Sequence, residues 1–310
     1  MITKRIDNIT ELKAAWRRVD PPAPKSVKIE LTARCDFQCF FCATKDRLRG
    51  KGDIDWEFYK KILLEMRQEG VEEIGLFYLG ESFLYPRLEE AVAFAKQIAG
   101  YPYVFLTTNG RRATPDRVKT LMEAGLDSLK FSFNSTDAND FTRVTGVRSS
   151  DWEIVIENIK GAKRVRDEGG FACGIYASSI ERKGEEKLAM EKAADLIIPY
   201  VDEHYYLPLY GQAGLTAGAH GTVPVAGNPG RLEAMRAPLP CWSLFTEGHI
   251  TYDGRLSACC FDHDGRFHMG DLLTTPFMQA WHSKPFQVLR EANLKKDVRN
   301  TACEKCVAYQ

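Results

Sequence analysis

Cys35, Cys39 and Cys42 stand at the spacing C-x3-C-x2-C within CDFQCFFC. Three thiolates are one fewer than a closed [4Fe-4S] cluster takes, so a cluster held here leaves one iron open. An open iron can coordinate a small molecule that carries amino and carboxylate groups. A zinc knuckle with a fourth ligand elsewhere, or three unligated core cysteines, would use the same residues. Five more cysteines, Cys241, Cys259, Cys260, Cys303 and Cys306, fall in the last quarter of the chain, with Cys173 alone between the groups. Two separate soft-metal sites are the simplest reading. The total of nine is odd, which argues against a complete set of disulfides in a secreted molecule.

The elements that must position these residues alternate. SVKIEL, residues 26–31, places Val27, Ile29 and Leu31 on one face at the period of a strand, and the cysteines follow at once. Helical spacing over 56–69 ends at Gly70 and gives way to a strand over IGLFYL, residues 74–79. The pattern then predicts a helix over 88–99, a strand over 103–107, a helix over 115–124 and a strand over 128–133. A helix over 152–168, a strand over 171–177, a helix over 185–198 and a strand over 203–210 complete about six units. Such strict succession favours an α/β fold with a parallel sheet and helices outside, open or curled into a partial barrel. Catalytic groups then belong at the C-terminal ends of the strands.

After Tyr210 the periodicity stops, and residues 211–240, dense in Gly and Pro, read as a linker. Residues 1–25 read as an N-terminal extension. Beyond the linker, Asp253-Gly254 between alternating segments signals a β-hairpin. Two short helical stretches, 276–282 and 286–293, precede Cys303-x2-Cys306. The segment 241–310 is too small for a conventional core, so a metal staple would explain how it stays folded.

Acidic and basic residues balance at 42 each, which gives no electrostatic footprint for nucleic acid or a membrane surface. Residues 1–20 lack an apolar h-region, and no run approaches the roughly 18 apolar residues of a spanning helix. A cytoplasmic protein is expected.

LTARCDFQCFFC resembles the signature of the radical S-adenosylmethionine (SAM) superfamily, in which an aromatic residue, here Phe41, precedes the third cysteine. YLGESFLYP is similar to that family's Gly-Gly-Glu segment, and the resemblance implies that the Gly80 backbone and the Glu81 carboxylate receive the SAM ammonium. TTNG, residues 107–110, resembles the ribose-side segment and implicates Thr108 and Asn109. SLKFSFNS puts Ser132 and Asn134 near the SAM polar groups. Two departures stand out: Leu79 replaces the first Gly of the usual pair, and FTRVTG has Thr145 where many relatives carry Arg, leaving Arg143 as the candidate near the SAM carboxylate.

The spacing of Cys241, Cys259, Cys303 and Cys306, with Gly254-x4-Cys259, resembles the twitch form of the SPASM domain found in aminocyclitol dehydrogenase-type members. It implies an auxiliary [4Fe-4S] cluster with four cysteine ligands; a structural zinc is the alternative, and Cys260 could replace Cys259. The fold implied is a partial (β/α)6 TIM-like barrel over 26–210 with a small C-terminal β-hairpin/helix iron-sulfur domain.

The activity implied is reductive cleavage of SAM to a 5′-deoxyadenosyl radical that abstracts a hydrogen atom. With an auxiliary cluster as electron acceptor, oxidation of a carbohydrate-like small molecule is the leading expectation, with peptide modification and a non-enzymatic metal-binding module as alternatives. A flavodoxin or ferredoxin would supply electrons. Candidate catalytic or substrate residues are Cys173, Tyr176, His204, Tyr206, Tyr210 and His220, each of which could equally be structural; Cys173 is either a small buried apolar residue or a hydrogen-atom donor.

Overall fold

A computed structural model describes residues 1–46, 48–216 and 239–306, with the backbone of 228–229 and 235–236. The strands β1 (Ser26–Ile29), β2 (Glu73–Gly75), β3 (Tyr103–Thr108), β4 (Ser128–Ser132), β5 (Gly174–Ile180) and β6 (Glu203–Leu207) pair in sequence order, all parallel. The helices α1 (Ile2–Thr10), α2 (Trp56–Gln68), α3 (Leu88–Ala93), α4 (Pro115–Glu123), α5 (Ala138–Thr145), α6 (Asp151–Gly169) and α7 (Glu185–Ala194) alternate with them. A two-residue pair, β7 (Asn228–Pro229) and β8 (Met235–Arg236), stands apart. The sheet then continues through β9 (Glu247–Ile250), β10 (Arg255–Ser257) and β11 (His268–Asp271), and helices α8 (Phe277–Trp281) and α9 (Lys284–Leu294) follow. The result is an α/β partial barrel: the nine-stranded sheet, β11 to β6, stays open.

Three expectations are corrected. The strand expected over 74–79 leaves the sheet after Gly75, because the backbone of the next segment turns to the loop after β1: Glu81 N–H donates to Arg34 O at 2.8 Å. The strand expected over 171–177 lies at 174–180, since α6 runs on to Gly169 and Gly170 caps it at φ +64°. Cys173 therefore precedes β5. The C-terminal segment also holds more apolar packing than its length suggests: Phe245, Phe267, Phe277, Trp281 and Phe286 are fully buried, and they belong to one core with the barrel. That continuity follows from β9 lying parallel to β1, Ser26 opposite Glu247 and Ile29 opposite Ile250.

The N-terminal segment is ordered against the barrel. In α1, Arg5 pairs with Glu73 at 2.6 Å and lies 3.2 Å from the centroid of the Tyr103 ring, while Thr3 donates to Glu203. These partners begin β2, β3 and β6, so α1 sits on the N-terminal end of the barrel. Further on, Trp281 Nε1 donates to Pro22 O at 3.0 Å and Arg290 Nη1 to Val19 O at 3.2 Å, fastening residues 19–22 to the C-terminal helices.

Burial outweighs the Arg5 partner and pushes the Glu73 carboxyl up to about 7. A carboxyl raised on folding favours the folded state below its unfolded value near 4.5 and loses that contribution as pH rises to about 7. Replacing Glu73 by Gln removes the loss. The unfolding free energy of Glu73→Gln relative to the unmodified chain is predicted to be higher at pH 8 than at pH 4.5, by on the order of 2 kcal/mol. Urea titrations at the two pH values measure it, and an unchanged difference would contradict the assignment.

Candidate active site

The loop between β1 and α2 is closed at its neck. Arg34 Nη2 reaches Asp53 Oδ2 at 2.6 Å, Ala33 N–H donates to Gly52 O and Ile54 N–H to Leu31 O, each at 2.9 Å. Its inner part carries Cys35, Cys39 and Cys42, and it is pinned to the end of α5 by Gln38 N–H to Thr145 O at 2.7 Å and Phe40 N–H to Val144 O at 3.1 Å. The three cysteines form no disulfide, and all three line one cavity of about 240 Å³. Phe41 of the same loop lines this cavity, and Gly80, Glu81, Thr108, Asn109, Ser132 and Asn134 are brought to it by the C-terminal ends of β2, β3 and β4 and the turns that follow them.

Gly80 is fixed by contact. A Cβ at this position would fall 2.0 Å from Thr32 O and 2.8 Å from Arg34 O, which no side chain could relieve. The backbone of the Gly-Glu turn is thereby pressed onto the neck of the cysteine loop. Glu81, 3% exposed, accepts from Thr108 Oγ1 at 2.8 Å, Asn109 N–H at 2.7 Å and Phe83 N–H at 3.1 Å. Burial nevertheless pushes its carboxyl up to about 7, against these hydrogen bonds. An ammonium brought into the cavity would restore the carboxylate. Asn109 Nδ2 donates to Asp36 Oδ1 at 2.8 Å, tying β3 to the residue after Cys35. Asn134 Oδ1 accepts from Ile180 N–H at 3.0 Å and joins β4 to β5.

Burial pushes the Cys35 thiol up to about 12, with Glu81 adding to it, and raises Cys39 as well. The bare chain thus keeps these thiols protonated, and only a cationic group can make thiolates favourable here. Among the described residues no three His, Cys, Asp or Glu side chains close on one point as a single bound ion would require; the thiols instead border a cavity, as a larger iron-sulfur group needs. The donor set fits such a group with a small ligand across the strand ends.

The opposite wall comes from the C-terminal segment and the turn after β6: Gln212, Cys260, Phe261 and His263 line the cavity. His263 is held neutral, its pKa lowered to about 3 by burial with Arg49 adding to it. Its Nδ1 lies 3.3 Å from Thr44 Oγ1 and its Nε2 2.7 Å from Gln212 Oε1. With Gln212 Oε1 as its partner, Nε2 carries the ring proton and donates to it, and Nδ1 faces the Thr44 hydroxyl, which donates to Leu79 O at 2.8 Å. Gln212 and Ala213 both hold positive φ, +48° and +55°, and Arg266 donates to Ala213 O. Phe133 and Trp152, stacked at 4.8 Å, form the apolar side. Gln212, Phe261, His263, Phe133, Trp152, Phe77 and Tyr78 were not singled out from sequence, and His263, three residues from Cys260, offered a local signal; Cys260 and Thr145 had entered only as a possible auxiliary ligand and as a departure from the family pattern.

Several expected residues fall elsewhere. Arg143 is 61% exposed and paired with Asp140 and Glu186 at 2.6 and 3.0 Å; the helix turns Thr145 into the cavity and Arg143 out of it. Cys173 lies at the N-terminal end of the sheet, buried, its thiol pushed up to about 12 by burial with Asp127 nearby. Tyr176 pairs with Lys130 on the inner face, but its hydroxyl turns back toward Gly174, where a Cβ would meet it at 2.4 Å. His204 and Tyr206 face outward: Ser132 pairs with Ser178 and Ser178 with Tyr205 on the inner face, whereas His204 contacts outward Ser179 at 2.9 Å. Tyr210 is not among the residues that line the cavity; its ring lies 5.5 Å from that of Phe261, which does. His220 lies outside the described residues.

In the second cysteine group, Cys241 N–H donates to Asn293 Oδ1 at 3.1 Å, Cys303 N–H to Thr301 Oγ1 at 3.2 Å and Cys306 N–H to Cys303 O at 2.9 Å. The Cys259 thiol lies near Cys241 and Cys260. Cys260, in contrast, lines the large cavity and neighbours Lys28 and Glu247.

Two family models match the chain: the radical SAM superfamily over residues 29–176, and an iron-sulfur cluster-binding domain, SPASM, over 241–307. Residues 29–176 thus form a radical SAM domain and residues 241–307 a SPASM/twitch-type iron-sulfur domain. Its cofactors are accordingly [4Fe-4S] clusters and SAM. A GTP 3′,8-cyclase of Chlorobaculum tepidum is 33% identical over 120 residues, 38% of this chain and 36% of that protein. A PqqA peptide cyclase of Streptomyces rochei is 27% identical over 198 residues, 62% of this chain and 52% of that one. The chain thus spans about a third to a half of the length of these relatives. BtrN, solved in complex with AdoMet and 2-DOIA, superposes with a TM-score of 0.61 at 16% identity, covering 91% of both chains. Streptococcus suis SuiB, bound to precursor peptide SuiA, gives 0.68 at 14% identity, covering 93% of this chain and 71% of that one. These two likenesses establish the fold.

Two outcomes follow from the geometry. Gly80→Ala is predicted to cost about 3 kcal/mol or more through overlap with the Thr32 carbonyl, read as a fall in the urea midpoint. Arg143→Ala is predicted to change SAM affinity less than about twofold, by anaerobic titration, since a side chain held outside by two carboxylates contributes little across the helix; a tenfold loss would return Arg143 to the site.

Proposed function

We propose that this chain is a radical SAM oxidoreductase that abstracts a hydrogen atom from a polyhydroxylated small molecule, a sugar, aminocyclitol or nucleotide-sugar, and completes its oxidation with help from an auxiliary cluster. One observation carries the reading: three unpaired thiols, the Gly80-Glu81 turn and the polar ends of β3 and β4 border the same cavity that residues of the iron-sulfur domain close from the other side.

When bound, the cluster and SAM supply a 5′-deoxyadenosyl radical by reductive cleavage of the sulfonium bond. Cys35, Cys39 and Cys42 hold the cluster and leave one metal corner free. Glu81 receives the ammonium of SAM, Thr108 and Asn109 stand on its ribose side, Ser132 and Asn134 meet its polar groups, and Phe41 packs beside it. Phe133 and Trp152 keep water from that space. Cys241, Cys259, Cys303 and Cys306 hold the auxiliary cluster, while Cys260 faces the cavity. A carbinol that has lost a hydrogen atom must still lose one proton and one electron to become a ketone; a second redox centre beside the same cavity suits that need. A flavodoxin or ferredoxin is the electron donor.

Anaerobic reconstitution is predicted to give about eight irons per chain, and about four after Cys259→Ala, whereas Cys260→Ala keeps about eight. The reduced protein with SAM alone is predicted to form 5′-deoxyadenosine. Iron-replete protein that forms none, or Cys260→Ala that loses four irons while Cys259→Ala loses none, would overturn these assignments.

A further inference from the structure

Below the first cavity lies a second, of about 160 Å³, inside the N-terminal end of the barrel under α1. Phe77 and Thr107 line both, so the thickness of one aromatic ring separates them. The Phe77 and Phe105 rings meet edge to face at 5.5 Å. Gly75 makes room for that partition, since a Cβ there would fall 2.8 Å from Phe105 and 3.0 Å from Phe77.

Barrel floors ordinarily serve stability, and buried polar groups ordinarily find partners. Here donors are left over. Ser26 is 1% exposed and lines this chamber, yet its Oγ has no hydrogen-bond partner among the described residues. The Nε of Arg5 is in the same condition, although its Nη2 pairs with Glu73 at 2.6 Å. Lys28 gives one N–H to Glu247 at 2.6 Å, and its other near neighbours are the faces of Phe77 and Trp242, 5.8 and 5.9 Å to their centroids. Lys130 lines the chamber as well, so three cationic side chains stand against the carboxylates of Glu73 and Glu247. Unmade hydrogen bonds of buried donors are costly. A water would answer them only by bringing two donors of its own, whereas an oxyanion accepts several and brings none.

We propose that the floor chamber is an oxyanion site, with Ser26 Oγ, Arg5 Nε and Lys28 Nζ as donors, and that it takes the carboxylate or phosphate end of a small molecule whose other end passes Phe77 into the upper cavity. That this molecule is the substrate rests on the function proposed above; that the chamber binds an oxyanion does not.

The test is isothermal titration of the anaerobically reconstituted full chain with inorganic phosphate and, separately, with acetate, at ionic strength held constant with sodium chloride. Saturable binding of at least one is expected, and the stronger of the two tells phosphate from carboxylate. Ser26→Ala is expected to weaken it by about tenfold. The paired neutral replacement Lys28→Met with Glu247→Gln is expected to abolish it. Both variants are expected to keep the iron content and the substrate-free 5′-deoxyadenosine formation of the unmodified chain. No saturable binding of either anion, or binding that Ser26→Ala leaves unchanged, overturns the proposal, and Ser26→Ala decides alone if the double variant does not fold. Anion binding in a protein that forms no 5′-deoxyadenosine would uphold the oxyanion site and overturn the function instead.

Discussion

The site depends on one buried carboxylate and the glycine before it. Glu81 draws a hydroxyl and an N–H from the end of β3 and an N–H from its own turn, while its backbone N–H holds Arg34 O in the cysteine loop. With Gly80 against Thr32 O, this fixes three chain segments around one point. An isolated acid so deeply buried is unfavourable by itself, and burial holds its carboxyl near 7. The same is true of the Cys35 and Cys39 thiols. The chain therefore builds a place in which Glu81, Cys35 and Cys39 are disfavoured in their charged forms until cationic groups arrive.

The iron-sulfur domain is joined to that place by the sheet itself. Because β9 lies parallel against β1 and β10 turns back antiparallel against β9, the hairpin that leads to Cys259 is paired with the strand that leads to the cysteine loop. Tyr78, just beyond β2, donates to Cys259 O and packs on His249 at 5.1 Å. His263 meets Thr44, two residues after Cys42, and Gln212, after β6. A division into barrel and appendage describes the sequence; in three dimensions the two halves close one cavity.

What the sequence made legible was local. The spacing of Cys35, Cys39 and Cys42 and the turns after β2, β3 and β4 are contiguous motifs, and each landed on the cavity. Residues brought in by register were not legible: His204 and Tyr206 lie on a strand of the expected type, yet a period of two decides which face they occupy, and Tyr205 took the inner one. Cys173 is buried, as one of its two readings had it, but three more residues of helix and loop place it before the strand rather than within it. Arg143 lies outside because it stands two residues before Thr145, about 200° around the helix, so that one faces outward when the other faces inward. His263 comes from a segment remote in sequence from the barrel strands, which the path of β9 and β10 brings back, and Gln212 from an irregular turn after β6.

The central claim is that the Cys35, Cys39 and Cys42 site holds a cluster with a corner open to SAM. Its most direct test is electron paramagnetic resonance of the reduced protein in which Cys241, Cys259, Cys303 and Cys306 are all replaced by alanine. A single reduced-cluster signal whose g-values shift when SAM is added is the predicted result. A signal that saturating SAM leaves unchanged would contradict it.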